Sequence, residues 1–315
     1  LAFGDDSMLC EKYLHPSRHI EVQILGDGKG RAVALGEREC SIQRRHQKVL
    51  EESPSPAVDT DLRRELERAA VSLASAVRYR NAGTVEFLLD EARNFYFLEV
   101  NTRLQVEHPV TELVRGLDLV HLQLDLAAGL DCIEALRRSQ DGLAKRPLGH
   151  ALEARICAED PTQDHLPVAG RIRVCVEPTG PGIRVDSGVF RGSEVSAHYD
   201  SLIAKVIVHG ADRSACLDRM GLALSRAAWL GLPTNVDYLL RVVRHPAFRA
   251  GDLRTDFLEL HDAELRQDGR VPEEALLAAA LAPAFLGDGP GGPRSLEREP
   301  PSPWRARDRF RLGEA

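Results

Sequence analysis

Two short runs rich in aromatic and aliphatic residues, Thr84–Asp90 and Phe95–Val100, are separated by only the four residues Glu91–Asn94. Strand-forming runs joined by so short a polar segment fold as a β-hairpin. The turn also sets the register and places Glu86 directly opposite Glu99. Facing side chains on one sheet surface have Cβ atoms about 5 Å apart, and like charges there are destabilising, so a cation between them is expected. Asn101, two residues beyond Glu99, falls on the same face and adds a neutral oxygen. Two carboxylates and an amide with no neighbouring histidine favour a hard ion, Mg²⁺ or Mn²⁺, over zinc. A solvated sheet face would account for the pairing alone equally well.

The segment that follows narrows the choice. Asn101-Thr-Arg-Leu-Gln-Val-Glu-His-Pro109 carries Arg103, Gln105 and Glu107 at alternate positions. An arginine beside a metal–phosphate centre can bind an anion or stabilise developing negative charge. A nearby carboxylate can act as a general base. Upstream, Gln43-Arg-Arg-His-Gln-Lys48 closes a strand-like stretch with a cluster of cationic groups. By itself it reads as a basic surface loop. Taken with the acids and amides, it describes a nucleotide-phosphate site that also holds a small anion.

Around this centre the chain reads as mixed helix and strand. His19–Leu25 alternates apolar and polar residues and pairs with Ala32–Leu35 through Gly26-Asp-Gly-Lys-Gly30. That glycine-rich link lacks the G-x-x-x-x-G-K-[ST] pattern and is expected to be a plain turn. Asp59 or Thr60 caps a helix whose apolar stripe is Leu62, Leu66, Leu73 and Val77. A second helix is expected over Asp118–Ala128, and 140–147 forms a connector. Beyond Gly149, strands are expected at Arg171–Val176, Ile183–Val185 and Ser201–Val208, with a helix at Arg213–Trp229. Pro272 and the acids after it start an Ala/Leu helix, and Gly287–Pro303 reads as a linker.

Composition excludes several classes. The 315 residues suggest about two domains, and a net charge of −7 gives no reason to expect nucleic-acid binding. The longest apolar stretch, Ala275–Leu286, is broken by Pro283 and is too short for a membrane span. Six scattered cysteines read as reduced thiols of a cytoplasmic protein, or of the mitochondrial matrix in a eukaryote. Only five of the 41 basic residues are lysines, and the chain begins at Leu1, so a fragment is expected.

Glu11-Lys-Tyr-Leu14, Glu37-Arg-Glu-Cys-Ser41, Gln43–Lys48, Glu86, Glu99–Glu112, Gly149–Arg155 and His198–Lys205 together resemble biotin carboxylase, an ATP-grasp enzyme. The resemblance implies an α+β fold, with the C-terminal portion of an ATP-grasp domain over 1–147. A biotin carboxylase C-terminal α/β domain would follow over 148–262, then a helix and linker over 263–301 and the start of a subunit-docking domain over 302–315. It implies that Glu11, Lys12 and Leu14 line an adenine pocket and that His19, Gln43 and His46 contact ribose and phosphates. Glu86 and Glu99, with Asn101 on a second ion, would hold Mg²⁺ or Mn²⁺. Lys48, Arg103, Gln105, Val106 and Arg155 would seat bicarbonate, with Glu107 as the base. Arg155 would stabilise the enolate of biotin, near Tyr199 and Asp200. Lys205 is expected to hold the second domain by a hydrogen bond or ion pair.

The implied reaction is ATP- and bicarbonate-dependent carboxylation of biotin on a carrier domain, through carboxyphosphate. Pro167-Val-Ala-Gly170, Thr234–Asp237 and Thr255–Phe257 are most similar to the biotin-containing α subunit of acyl-CoA carboxylases of the 3-methylcrotonyl-CoA type. Implied partners are the carrier domain, a carboxyltransferase β subunit and a second copy of the chain. The glycine-rich lid would precede Leu1, so the fragment alone is expected to be inactive. Two other readings stay open: a non-catalytic dimerisation or docking remnant, and another ATP-grasp ligase such as a carbamoyl-phosphate synthase half.

Overall fold

The computed structural model describes residues 7–8, 10–139, 146–266 and 273–286. Most of the 140–147 connector, the 287–303 linker and the 302–315 docking segment lie outside the described residues. The first compact unit spans Leu1–Gln267, and the described part of the second is a single helix.

The first unit is organised by one eight-stranded antiparallel sheet. Its strands are β1 (Arg18–Asp27), β2 (Ala32–Arg44), β3 (Gln47–Ser53), β4 (Arg80–Leu89), β5 (Phe95–Asn101), β6 (His150–Cys157), β11 (Ile183–Ser187) and β13 (Leu202–Gly210), in the order β11-β13-β6-β3-β2-β1-β4-β5. The short strands β7 (Glu159–Asp160), β8 (Leu166–Pro167), β9 (Gly170–Arg171), β10 (Val174–Val176), β12 (Glu194–Val195) and β14 (Ala228–Leu230) form three two-stranded ribbons beside it. The helices are α1 (Thr60–Ala76), α2 (His108–Arg115), α3 (Leu119–Ala127), α4 (Cys132–Ser139), α5 (Arg213–Arg226), α6 (Val236–Arg244), α7 (Pro246–Ala250), α8 (Phe257–Leu260) and α9 (Asp262–Leu265).

Local chemistry accounts for the elements. Asp59 accepts from the backbone N–H groups of Asp61 and Leu62 and so starts α1. The buried stripe of α1 is Leu62, Leu66, Ala70 and Ala74, which pack on Ile20, Val22 and Ile24 of β1 and on Val85 and Phe87 of β4. Val77, expected in that stripe, is the C-cap and is exposed, because the helix stops one residue before it. The second core joins β6 and β13 to α5 and α6 through Ala154, Val206, Leu217 and Leu239. α5 ends at Arg226, short of the expected Trp229, because Ala228–Leu230 turns into a strand that pairs with β10. Trp229 is still core, at 1% exposure. The strand expected over Arg171–Val176 is broken into β9 and β10, each paired with a different partner. In the second unit, α10 (Glu273–Leu286) matches the helix expected after Pro272.

β5 pairs with β4 in the expected register, with Glu86 opposite Glu99 and Thr84 opposite Asn101. A bulge then shifts the pairing, so that Phe87 meets Phe97 and Leu98 is the extra residue. β6 pairs with β3 on one side and β13 on the other. The sheet therefore runs without interruption across the expected 147/148 boundary.

Candidate active site

The two faces of β1 have opposite characters. Ile20, Val22 and Ile24 face α1, whereas His19, Glu21 and Gln23 face the other way and are also buried. On that polar face Arg38, with 0% exposure, donates to Glu21, to Gln23 Oε1 (2.8 Å), to Thr111 Oγ1 of α2 (2.9 Å) and to Thr84 Oγ1 (3.1 Å). A buried guanidinium is tolerated only when its donors are satisfied in this way.

Beside it, Lys48 Nζ donates to Glu21 Oε2 (2.5 Å), Glu86 Oε1 (2.7 Å) and Glu107 Oε1 (2.8 Å), so all three ammonium protons are used. Glu107 Oε2 accepts from Arg155 Nη2 at 2.9 Å, and Arg155 Nε donates to Glu51 Oε1 at 2.6 Å. Glu107 is thus fully buried between two cations. Burial by itself would raise the Glu21 carboxyl, but Arg38 and Lys48 outweigh it and hold it down to about 2. The same contest, with His19 and Lys48 on the winning side, holds Glu86 at about 2.

Glu86 also accepts from Asn101 Nδ2 (3.0 Å) and Gln105 Nε2 (3.1 Å), and its Oε2 lies 3.0 Å from His19 Nε2. Asn101 Nδ2 lies 3.2 Å from Glu99 Oε1 as well, so one point is within reach of both carboxylates. The repulsion expected between the facing acids is relieved by Lys48 and the two amides. Arg103 Nη1 donates to Gln105 Oε1 at 2.9 Å and leaves the rest of its guanidinium exposed. Val106 is fixed through its carbonyl, which accepts from Lys205. Lys205 also sits 3.6 Å from Glu153 and 3.5 Å from Asp186, so it ties β13 to the site by a hydrogen bond and ion pairs, as expected.

These groups open into two adjoining cavities. One, of about 320 Å³, is lined by His19, His46, Lys48, Glu86, Glu99, Asn101, Arg103, Gln105, Val106, Arg155 and Asp200, together with Arg44, Glu159, Ser201 and Asn235. The second, of about 490 Å³, shares His19, His46, Glu86 and Glu99 and adds Lys12, Leu14 and Gln43. The expected site residues thus converge, except Glu11 and Tyr199, which are exposed and line neither cavity. Glu107 also lines neither, being fully buried, and joins the site through Lys48 and Arg155.

Several residues of the site were not anticipated. Glu21 lies two positions from His19 in an alternating strand, a signal that could have found it. Arg44, bidentate to Glu159 at 2.8 and 2.6 Å, and Asn235, which accepts from Cys157 N and donates to Arg155 O, come from segments far apart in sequence.

A divalent ion fits the carboxylates of Glu86 and Glu99 at the cavity wall; Asn101 turns its Nδ2 toward both of them, so it would offer its Oδ1 to an ion only with the amide turned over. His19, Glu21 and Glu86 also bring ligand atoms within 4.8 Å of one another, but Lys48 already bridges the two carboxylates.

Residues 1–134 match the family described as Carbamoyl-phosphate synthase L chain, ATP binding domain, and residues 153–260 match Biotin carboxylase C-terminal domain. The chain is 48% identical over 282 residues to the mitochondrial methylcrotonoyl-CoA carboxylase subunit alpha of Rattus norvegicus, covering 89% of this chain and 39% of that protein. It is 49% identical over 258 residues to a biotin carboxylase of Nostoc sp., covering 82% and 56%. A crystal structure of the Hydrogenobacter thermophilus 2-oxoglutarate carboxylase biotin carboxylase domain dimer, with MgADP, ADP and bicarbonate, superposes with a TM-score of 0.75 at 40% identity, covering 82% of this chain and 55% of that one. The chain spans about half the length of these relatives or less.

Proposed function

We propose, for a chain built from the ATP-grasp and C-terminal domains of the biotin carboxylases, that the protein carrying it carboxylates biotin on a carrier domain at the expense of ATP and bicarbonate. The observation that carries this reading is Glu107. It is a buried carboxylate gripped by Lys48 and Arg155, next to a cavity wall formed by Arg103, Gln105 and Val106. Bicarbonate, ATP, carboxyphosphate and the enolate of biotin are all anionic, so fixed cations in a partly dry site lower the barrier directly.

Arg103 and Arg155 seat bicarbonate, with Gln105 and the Val106 backbone as neutral partners and Lys48 adding its positive charge beside them. Glu107 takes the bicarbonate proton, and a bicarbonate oxygen then attacks the γ-phosphorus of ATP as ADP leaves, giving carboxyphosphate. Carboxyphosphate breaks its carbon–oxygen bond and releases CO₂ and phosphate; the phosphate takes the proton of the biotin ureido nitrogen, which then bonds to the CO₂ carbon. Arg155 faces the charge that develops on the ureido oxygen. Glu86, Glu99 and Asn101 would hold Mg²⁺ or Mn²⁺, which offsets charge on the ATP phosphates. Lys12 and Leu14, in the second cavity, fit the adenine, and His19, Gln43 and His46 fit the ribose and phosphates.

Carbamoyl-phosphate synthase chemistry is disfavoured, because residues 153–260 match a biotin carboxylase domain. The catalytic constellation likewise argues against a pure docking remnant. The partners we propose are a biotin carboxyl carrier domain, a carboxyltransferase subunit and a second copy, the last supported by the dimeric H. thermophilus relative. A 3-methylcrotonyl-CoA end substrate is supported by the rat relative and the 167–170, 234–237 and 255–257 stretches. The test is bicarbonate-dependent ADP release by the full-length protein with free biotin. Activity that does not need bicarbonate would remove the reading.

A further inference from the structure

Two carboxyls of the buried polar strip have no part in the chemistry above. Glu51 of β3 and Glu153 of β6 are register partners in adjacent strands, and both are 0% exposed. Glu51 Oε1 accepts from Arg155 Nε at 2.6 Å, while its Oε2 and both oxygens of Glu153 have no hydrogen-bond partner. Lys205 Nζ lies 3.6 Å from Glu153, but its hydrogen bond goes to the Val106 carbonyl. Two acids facing each other in a dry sheet interior cannot both ionise cheaply.

The position of Glu51 suggests why the pair is there. Arg155 is held at both ends, by Glu51 through Nε and by Glu107, behind the cavity wall, through Nη2. In the proposed reaction Glu107 loses its negative charge when it takes a proton, and its hold on the guanidinium weakens at that moment. Glu51 does not line the cavity and is not the group that takes the bicarbonate proton; the loss of the Glu107 charge favours the ionised form of Glu51.

We propose that Glu51 is the positioning residue for Arg155, keeping the guanidinium aimed into the cavity while Glu107 changes charge. This rests on the function proposed above. Burial drives the Glu51 carboxyl up to about 7 against the pull of Arg155, and it drives Glu153 well above its ordinary range. The groups facing the pair are Arg155 on β6, Lys48 on β3, Cys40 on β2, Glu107 ahead of α2 and Lys205 on β13. With Glu153 keeping its proton, the couple carries at most one negative charge, which resides on Glu51 and is paired with Arg155. Below neutrality Glu51 takes up a proton and its grip on Arg155 loosens.

The test uses the full-length protein, with and without Glu51→Gln. The variant is expected to leave KM for ATP unchanged, to lower kcat/KM for bicarbonate about tenfold, and to lose the acid limb of the pH profile near 7. A tenfold loss that falls on ATP alone, or an unaltered pH profile, overturns the proposal. A second readout needs neither activity nor a variant at Glu51. The ¹⁵Nε signal of Arg155, assigned by its absence in Arg155→Lys, is expected to titrate near pH 7 in the wild-type protein. A flat signal, or a midpoint at an ordinary carboxylate value, overturns the proposal even if Glu51→Gln fails to fold. If the wild-type protein lacks bicarbonate-dependent turnover, the functional reading fails, while the Arg155 titration still decides whether Glu51 controls that guanidinium.

Discussion

Lys48 shows how strongly one side chain can be committed. It satisfies Glu21, Glu86 and Glu107 together, and burial, which would lower its pKa, is outweighed by those acids. Replacing it with methionine strands three buried carboxylates, and about 3–5 kcal/mol of stability should be lost in urea unfolding. Arg103→Ala is different, because its guanidinium is mostly exposed and makes only local bonds. It should leave the unfolding midpoint within about 0.5 kcal/mol of wild type yet reduce bicarbonate-dependent turnover about a hundredfold or more. Glu51 gives a pH prediction with a definite sign. Its carboxyl is raised in the folded state to about 7, so its contribution is intact below the ordinary carboxylate value and is lost as pH rises through 7. The stability of Glu51→Gln relative to wild type should therefore improve with pH between about 4.5 and 7, measured by urea midpoints across that range. An unchanged difference would contradict the assignment. At this scale the sequence is partly legible. Glu86, Glu99 and Asn101 are readable as a set because the short hairpin brings them close, although the pairs beside the turn run one residue off that reading and the bulge at Leu98 restores Glu86 opposite Glu99. Glu51 and Glu153 are not, because each looks like an ordinary polar strand residue until β3 and β6, about a hundred positions apart, are paired.

Among the elements, those set by local chemistry are the ones the sequence reveals. α1 carries its own cap in Asp59, and the β4–β5 hairpin carries its own turn. The bulge at Leu98 is invisible to alternation, and it shifts the register of the pairs between Glu99 and the turn. β6 reads as no more than the start of a new region, because it is buried on both sides between β3 and β13 and lacks a simple amphipathic period. α2 is short and begins at His108-Pro109, where a proline suits the first turn but the preceding loop hides the start. Gly149, just before β6, has φ +73, and a Cβ there would lie 2.1 Å from the Gly210 carbonyl oxygen. Gly149→Ala should therefore cost more than about 1 kcal/mol, seen as a lowered thermal midpoint, since both the backbone conformation and the close approach resist a side chain. A midpoint equal to wild type would show that the start of β6 adapts freely.

Over the first unit, the continuous sheet explains why the polar groups of the candidate site, drawn from distant segments, meet. β3 supplies Lys48 and Glu51, β4 and β5 supply Glu86, Glu99 and Asn101, the loop before α2 supplies Arg103 to Glu107, and β6 supplies Arg155. The pairing of β3 with β6 joins the segment matching the ATP-binding family to the segment matching the biotin carboxylase C-terminal family. Arg155 then reaches Glu107 across that seam. The central claim is that this constellation activates bicarbonate with ATP for transfer to biotin. The most direct measurement is ADP release by the full-length protein with free biotin, with and without added bicarbonate, for wild type and Glu107→Gln. The account predicts release that depends on bicarbonate and falls at least about a hundredfold in the variant. Release that ignores bicarbonate, or that survives the loss of the Glu107 carboxylate, would contradict it.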